Sequence, residues 1–314
     1  MIEIREVKNA IMNNPLDMAR LAKLSYEKYS RETSSHENLP VLPYNDYEKA
    51  FSSATGKISA VVATDDEKIV GFLLYEAVEN DSVTYCNIPL FGYGAENMKV
   101  LDRLFGFLAE KIVLGKTEFS VHIYAHDRET QRLFSFLQFY TMSEKCIRIY
   151  NNEEVATCAT IRKLSKNELD ERWKDVWSMV SSIIKHLQSS PIFYPGEEFT
   201  EEVYREFLTV CDVYVAEMDG KYIGMIEANG KKPLFPYDYT NAVNVGEIYL
   251  EPEYRGKGIA ETLLHFAEND QKSAVSWVEH GTANPNARGF WNKHFETYEY
   301  LMMRKINDYS FLKK

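Results

Sequence analysis

The chain has 314 residues, a formal net charge of −11, and a composition that is 45% hydrophobic and 26% charged. This length predicts two domains, and the acidic balance argues against a nucleic-acid-binding surface. No apolar run approaches the length of a membrane span, and the first ten residues lack an export-signal pattern, so we expect a soluble, cytoplasmic protein without a membrane partner.

The cysteines and histidines carry neither disulfide nor metal-binding spacing. Cys86, Cys146, Cys158 and Cys211 contain no C-x-x-C pair, which predicts buried, reduced thiols of the kind found in a cytoplasm. None of the seven histidines has the spacing of a metal ligand set. We therefore predict no metal.

Strand and helix patterns alternate through the first half. Residues 34–47 show little periodicity and are predicted as a loop. The other predicted elements are a strand (2–7), a helix from Pro15, a hairpin (57–63 and 68–77), a strand (83–88), a helix near 101–112, a strand (119–124), a helix (128–137) and a strand (141–150).

The second half repeats this order. Ser165 and Glu168 form a capping-box pattern before one long amphipathic helix that runs to about Ile184. A hairpin follows (213–217 and 221–227), with Asp219-Gly220 as its turn. The remaining predicted elements are a strand (245–250), a helix from about Gly258, a strand (275–278), a helix (286–294) and a strand (298–306).

Aligning the two halves element by element matches Gly71 with Gly224 and Phe139 with Phe295, an offset of about one ordinary domain. We predict a tandem duplication with domains at residues 1–153 and 154–314.

Residues 245–268, VGEIYLEPEYRGKGIAETLLHFAE, join a strand, a glycine-rich turn and an amphipathic helix without a spare residue. Pro252 should end the strand, and the unpaired N–H groups at the start of the helix predict an anion site between Arg255 and Lys257. The apolar helix face is Ile259, Leu263, Phe266 and Ala267, with Glu261, His265 and Glu268 on the other faces.

The pattern Arg255-x-x-Gly258-x-Ala260, after a strand that carries Glu247, closely resembles the acyl-CoA-binding motif of the GNAT superfamily of N-acetyltransferases. Residues 284–295 resemble the next helix of that family. In the first half, residues 91–95 keep the glycines without a flanking cation. The resemblance implies an α/β fold of two tandem GNAT-like domains, each a central, mostly antiparallel sheet flanked by helices, with the first degenerate.

The resemblance also implies acetyl-CoA as cosubstrate and a primary amine, on a small molecule or peptide, as the acceptor that attacks directly in a ternary complex. Glu247 is the expected base. Trp291 replaces the usual acid tyrosine, so Tyr298 and Tyr300 are candidate acids and solvent is the alternative. The residues expected to bind acetyl-CoA are Ile248, Tyr249, Leu250, Arg255, Gly256, Lys257, Gly258, Ile259, Ala260, Thr262, Asn284, Asn286, Ala287, Phe290 and Trp291.

The acceptor is expected between residues 189–202 and 231–244, which mix aromatic and acidic groups suited to a cationic amine. These groups are Phe193, Tyr194, Glu197, Glu198, Tyr237 and Asp238. Two other functions stay open. One is a non-catalytic acyl-CoA-binding or regulatory protein, which Trp291 and the degenerate first half favour. The other is a nucleotide-binding module, although no acidic ribose partner or Walker lysine is correctly placed. The identity of the acceptor and the oligomeric state are also open.

Overall fold

The computed structural model describes residues 2–7, 15–37, 39, 41–55, 58–149, 158–194, 199–230, 234–236, 242–272 and 274–306. The chain divides into two compact units: Met1–Lys145 with Glu296–Lys314, and Cys146–Phe295. No helix within the described ranges is long and apolar enough to cross a membrane.

The first unit is a sheet flanked by helices. Its strands are β1 (Glu3–Val7), β2 (Ser59–Asp65), β3 (Lys68–Asn80), β4 (Val83–Ile88), β5 (Tyr93–Ala95), β6 (Lys116–Tyr124) and β13 (Glu296–Ile306). Its helices are α1 (Pro15–Thr33), α2 (Tyr44–Ala54), α3 (Met98–Ile112) and α4 (Arg128–Phe136). The strand order is β1-β2-β3-β4-β6-β13, with β5 paired to β3. Within this order β4 and β6 are parallel and the other neighbours are antiparallel.

The strand β7 (Tyr140–Ile149) contains the boundary between the units. The strands that follow in the second unit are β8 (Thr160–Lys163), β9 (Asp212–Met218), β10 (Lys221–Asn229), β11 (Val243–Leu250) and β12 (Val275–Gly281). The helices are α5 (Lys166–Glu171), α6 (Trp173–Gln188), α7 (Glu201–Thr209), α8 (Ile259–Gln271) and α9 (Pro285–His294). The order is β12-β11-β10-β9-β8, in which β11 and β12 run parallel.

The predicted fold class, a mostly antiparallel mixed sheet flanked by helices, is confirmed in each unit. Local chemistry explains several elements. Asp219 and Gly220 have φ values of 52° and 76°, the left-handed turn that matches the twist of a two-residue hairpin. The predicted capping box is present, since the Ser165 side chain accepts from the Glu168 N–H and the Glu168 carboxylate accepts from the Ser165 N–H.

Short helices are where the sequence predictions fail. The helix α2 begins inside the predicted loop 34–47, and α7 was not predicted. Each has only two buried residues, Tyr47 with Phe51 and Tyr204 with Leu208, which is too few to show helical periodicity. The predicted long helix after Ser165 divides at Arg172 into α5 and α6.

The last strand lies in the first unit. The boundaries predicted from the sequence assign residues 296–306 to the second domain, whereas β13 pairs with β6 from Glu299 opposite Tyr124 to Ile306 opposite Thr117. The carboxyl half of β7, from Cys146, belongs to the second unit. Each unit thus takes a strand from the other half of the sequence. The duplication seen in the sequence cannot reveal this exchange. Because the two sheets are equivalent, a strand from either half of the sequence could pair in the same way in either sheet.

Two polar residues of α8 were wrongly predicted to lie away from the core. His265 and Glu268 are 4% and 0% exposed. The guanidinium of Arg148, on the carboxyl half of β7, pairs with the Glu268 carboxylate through two N–H groups. A buried carboxylate is tolerated because this partner compensates its charge. All four cysteines are free, but Cys158 is exposed rather than buried.

Glu299 ties β13 to the first unit through His122 and Lys145. It should make the stability of the protein fall at low pH. The carboxylate is 2% exposed. Burial alone would raise the pKa of this carboxylate. His122 and Lys145 lower the pKa by a larger amount, so the net change is from the ordinary 4.5 to about 2. The folded protein therefore keeps Glu299 ionised over a range in which the unfolded chain binds a proton, so this contribution to stability is lost as pH falls from about 4.5 to about 2. We expect a loss of about 2 kcal/mol by pH 3. The free energy of unfolding in urea, measured for wild type and Glu299→Gln at pH 6 and pH 3, tests this loss. If both proteins lost the same stability between the two pH values, Glu299 would not be its source.

Candidate functional site

The glycine-rich turn between β11 and α8 has the backbone of an anion site. After a single 3-10 turn (Pro252–Tyr254), Gly256 and Gly258 take φ values of 74° and 79°, which non-glycine residues rarely adopt. Thr262 donates the first intrahelical bond, to the Gly258 carbonyl, and no described side chain caps Gly258. The N–H groups of residues 259–261 therefore precede the first helical bond and face the turn.

The two cations of the turn have defined positions. The Arg255 Nε donates to the Leu250 carbonyl at 3.0 Å, which holds the guanidinium beside the end of β11. The Lys257 Nζ lies 5.1 Å from the centre of the Tyr254 ring. Both residues are exposed. The Thr262 hydroxyl, which the resemblance suggested as a further donor to the anion, instead donates to the Gly258 carbonyl at 3.1 Å.

The strand β11 bulges where it faces β10. The pairing passes from Ile226 opposite Ile248 to Ala228 opposite Val245, so Gly246 and Glu247 together lie opposite the single residue Glu227. A Cβ on Gly246 would come within 1.7 Å of the Glu227 Oε1, so only glycine leaves room for this carboxylate. Bulges of this kind redirect side chains beside active sites. Here the bulge places the backbone of Gly246 and Glu247 against the Glu227 carboxylate.

Glu247 occupies an environment suited to a base. Its Oε1 accepts a hydrogen bond from the Tyr204 hydroxyl at 2.7 Å, and its backbone N–H donates to the Glu227 Oε1 at 3.3 Å. Its Oε2 is shielded from solvent and has no hydrogen-bond partner among the described residues. Burial raises the pKa of Glu247, and the Tyr204 hydrogen bond lowers it by a smaller amount.

The strands β11 and β12 separate beside this carboxylate. Their parallel pairing consists of Val243 with Ser276 and Asn244 with Trp277, and no described residue of β11 beyond Asn244 pairs with β12. The Glu251 N–H donates to the Ile223 carbonyl of β10 at 2.9 Å. Because N–H directions alternate along a strand, the Leu250 N–H points to the opposite edge, where β12 has separated.

The first unit lacks this opening. The strand β4 pairs with β6 over its whole length, from Val83 opposite Lys116 to Ile88 opposite Val121. The segment that aligns with the glycine turn forms β5 and pairs with β3. Gly94 packs against Leu24, where a Cβ would lie 2.9 Å from the Leu24 Cβ. Asn97 caps α3 by accepting from the Val100 N–H at 3.2 Å. The glycines of this segment, Gly92 and Gly94, therefore serve packing.

The helix α9 uses two of its predicted cofactor residues for local structure. The Asn284 Oδ1 caps the helix by accepting from the N–H groups of Asn286 and Ala287, each at 3.2 Å. Trp291 is buried and packs edge-on against Phe290 and Phe295. Ala287 and Phe290 line the same core cluster, as do Ile248, Ile259 and Ala260.

Other predicted site residues are spread over the chain. Tyr298 and Tyr300 lie on β13 of the first unit, where Tyr298 is 0% exposed and packs against Tyr124 and His36. Phe193 and Tyr194 are exposed. Glu197, Glu198, Tyr237 and Asp238 lie outside the described residues. Tyr249 donates to the Glu251 Oε2 at 3.0 Å.

The two partners of Glu247, Tyr204 and Glu227, were not predicted from the sequence. Tyr204 lies on α7, which was not predicted, and Glu227 is the last residue of the predicted second hairpin strand. One signal was available for Glu227, since a glutamate inside a run of buried strand residues is rarely left without a role. No sequence signal links Tyr204 to the site.

The comparisons with known proteins agree with this geometry. Residues 181–295 match the model of the Acetyltransferase (GNAT) family, a segment that includes Glu227, Glu247 and the glycine turn. No curated protein sequence matches the chain. The structure is similar over 98% of this chain and 96% of the other to a GCN5-related N-acetyltransferase from Sphaerobacter thermophilus, with a TM-score of 0.55 at 13% identity. A tandem GNAT protein from the clavulanic acid biosynthesis pathway has a TM-score of 0.47 at 10% identity, over 99% and 100% of the two chains.

The chain therefore has a two-unit fold similar to that of a GCN5-related N-acetyltransferase, and residues 181–295 carry the sequence pattern of the Acetyltransferase (GNAT) family. Its second unit carries the segment that matches the family.

Proposed function

We propose that the chain is an acetyl-CoA-dependent N-acetyltransferase that acts on a primary amine, with catalysis in the second unit. One observation carries the proposal: β11 separates from β12 beside a glycine turn with left-handed backbone, whereas the corresponding strands of the first unit stay paired. The opening offers a slot for an extended arm, and the turn offers N–H groups for phosphates. The free cysteines are consistent with action in the cytoplasm.

The residues of the second unit fit acetyl-CoA. When bound, it supplies an acetyl thioester whose C–S bond breaks as the new C–N bond forms. The N–H groups of the turn, with Arg255 and Lys257, hold the pyrophosphate. The arm lies between β11 and β12, where the Leu250 N–H donates to the carbonyl oxygen as negative charge develops on it. Direct transfer, which the resemblance to the family implies, needs both substrates bound together.

The carboxylates of Glu247 and Glu227 favour an amine as the acceptor. An amine arrives as an ammonium ion, which Glu227 and Glu247 attract. Glu247 then accepts its proton and leaves the nitrogen lone pair free to attack. Burial keeps the pKa of Glu247 above its ordinary value, which makes it a stronger base for this transfer, and Tyr204 fixes the carboxylate by its hydrogen bond. The acceptor is a small molecule or a peptide.

The departing thiolate needs a proton after transfer. The proposed role of Tyr298 or Tyr300 as its donor stays a prediction. Trp291 cannot take the role, because an indole N–H does not readily release a proton. Solvent is the simplest source in an opening between strands.

The test combines binding with turnover. In a calorimetric titration of the full chain, we expect one acetyl-CoA per chain. With a panel of primary amines, we expect release of free thiol together with acetylated product. Two binding sites would contradict the assignment of the first unit as degenerate. Binding without acetylation of any amine would favour the alternative, a non-catalytic acyl-CoA-binding protein, and absence of binding would overturn both.

A further inference from the structure

Three potential metal ligands meet in the first unit, whereas Glu247 and the glycine turn belong to the second. Glu32 lies in the last turn of α1, His36 lies four residues later, and His126 lies between β6 and α4. Their side-chain ligand atoms all lie within 4.8 Å of one another. The Glu32 Oε1 is 2.7 Å from the His36 Nε2 and 2.9 Å from the His126 Nδ1.

The charge balance of this cluster favours a bound cation. Glu32 is 0% exposed, and its ion-pair partners among the described residues are the two histidines. A buried carboxylate is costly without a positive partner. Glu296, at the start of β13, adds a second carboxylate 2.6 Å from the His36 Nδ1. The nearest described lysine on α1, Lys28, is paired with Asp127 at 2.7 Å.

The surroundings fix the ligands in an orientation suited to a metal. The His36 Nδ1 faces the Glu296 carboxylate, which leaves its Nε2 directed at Glu32. A carboxylate behind a histidine is the usual second shell of a metal site, because it orients the ring and strengthens the ligand. The His126 backbone N–H donates to the Glu32 Oε2 at 2.6 Å and holds the Glu32 carboxylate from its other side.

We propose that Glu32, His36 and His126 bind one zinc ion or a similar divalent transition-metal ion. Two imidazoles and one carboxylate are a common zinc ligand set, and a tetrahedral ion with bonds of about 2.0–2.1 Å needs ligand atoms about 3.3 Å apart. Binding would therefore require the Glu32 Oε1 to move away from both ring nitrogens, which now lie at hydrogen-bond distance from it. Because His126 is 43% exposed, a water can complete the coordination.

The ion would join distant parts of the first unit. Glu32 and His36 belong to the end of α1, His126 follows β6, and Glu296 opens the strand contributed by the far end of the sequence. A ligand that binds only the folded protein raises its stability by mass action. The metal would therefore stabilise the position of β13 in its unit, through the contact of Glu296 with His36. The sequence could not indicate this site, because only the fold brings His126 to Glu32.

Zinc binding by the full, chelator-treated chain tests the proposal. Calorimetric titration with zinc chloride should give one ion per chain, and cobalt(II) at the same site should show the visible absorption of tetrahedral coordination. His126→Ala, at an exposed position, should weaken binding by about 100-fold or more, and Glu296→Gln, behind the ligand, by about 10-fold. His122→Ala is the matched control. His122 also bonds a carboxylate, that of Glu299, but lies outside the cluster, so this variant should bind as wild type does.

Thermal unfolding provides a second readout. Zinc should raise the unfolding midpoint of wild type and His122→Ala, but much less that of His126→Ala. Equal zinc affinity in wild type and His126→Ala would show an adventitious site elsewhere and overturn the proposal. Absence of binding to wild type would overturn it as well. Neither result bears on the roles proposed for Glu247 and the glycine turn, which belong to the second unit.

Discussion

Glu247→Gln should lower the turnover number by about 10³-fold, because the variant keeps the shape of the side chain but cannot accept a proton. The affinity for acetyl-CoA should stay unchanged, since the proposed pyrophosphate and carbonyl contacts are made by backbone N–H groups and by Arg255 and Lys257. Steady-state kinetics with the amine identified by the panel, and calorimetry with acetyl-CoA, measure the two quantities separately.

The pH profile distinguishes a base from a structural residue. Burial raises the pKa of Glu247, and only the ionised form accepts a proton, so kcat/KM of the wild type should fall as pH decreases through that pKa. This acid limb should be absent in Glu247→Gln. In Tyr204→Phe the carboxylate loses a hydrogen bond that lowers its pKa, so the limb should move to higher pH while turnover on the plateau changes little.

Glu217→Gln is the matched control for Glu247→Gln. Glu217 lies on β9 and bonds Arg162 at 3.3 Å, so removal of its charge should leave turnover unchanged. If Glu247→Gln kept full turnover and the wild-type acid limb, Glu247 would be a buried polar residue of the bulge, and the base would have to be sought elsewhere.

The strands and long helices were predictable because their patterns are local. Alternation over residues 213–217 and 221–227, with Asp219-Gly220 between them, specifies a hairpin without reference to any other part of the chain. The helix α8 was predictable because its start needs no distant partner: Gly258 supplies a left-handed N-cap. The burial of Glu268 on this helix was not predictable, because its charge partner, Arg148, is far away in the sequence.

The proposed catalytic centre was predictable only in part, because some of its contacts join residues that are distant in the sequence. Glu247 and the glycine turn lie in one continuous stretch that resembles the GNAT motif. The bulge at Gly246 requires knowledge of the register with β10, and Tyr204 reaches Glu247 from a helix whose short apolar face gave no signal. The separation of β11 from β12, on which the proposed function depends most, also requires knowledge of strand pairing and was not predictable from the sequence.

The glycine turn should account for the second large effect. The double variant Arg255→Ala/Gly258→Glu should raise the Kd for acetyl-CoA by about 10³-fold, equivalent to about 4 kcal/mol. The variant removes one cation, places a carboxylate where the phosphates are proposed to bind, and puts a side chain on a residue with a φ of 79°. The space around Gly258 is open, with no atom within 4 Å of a Cβ, so the loss should reflect charge and backbone strain rather than a steric clash.

A control with the same chemistry is available in the β9–β10 hairpin of the same unit. Gly220 also has a left-handed backbone, with a φ of 76°, and its Cβ would likewise meet nothing within 4 Å. Gly220→Glu/Lys221→Ala therefore repeats the loss of a cation, the gain of a carboxylate and the strain at a glycine, but in a different turn. Calorimetry should show wild-type affinity in this control. An equal loss of affinity in both double variants would mean that general destabilisation or net charge, and not the turn itself, governs acetyl-CoA binding.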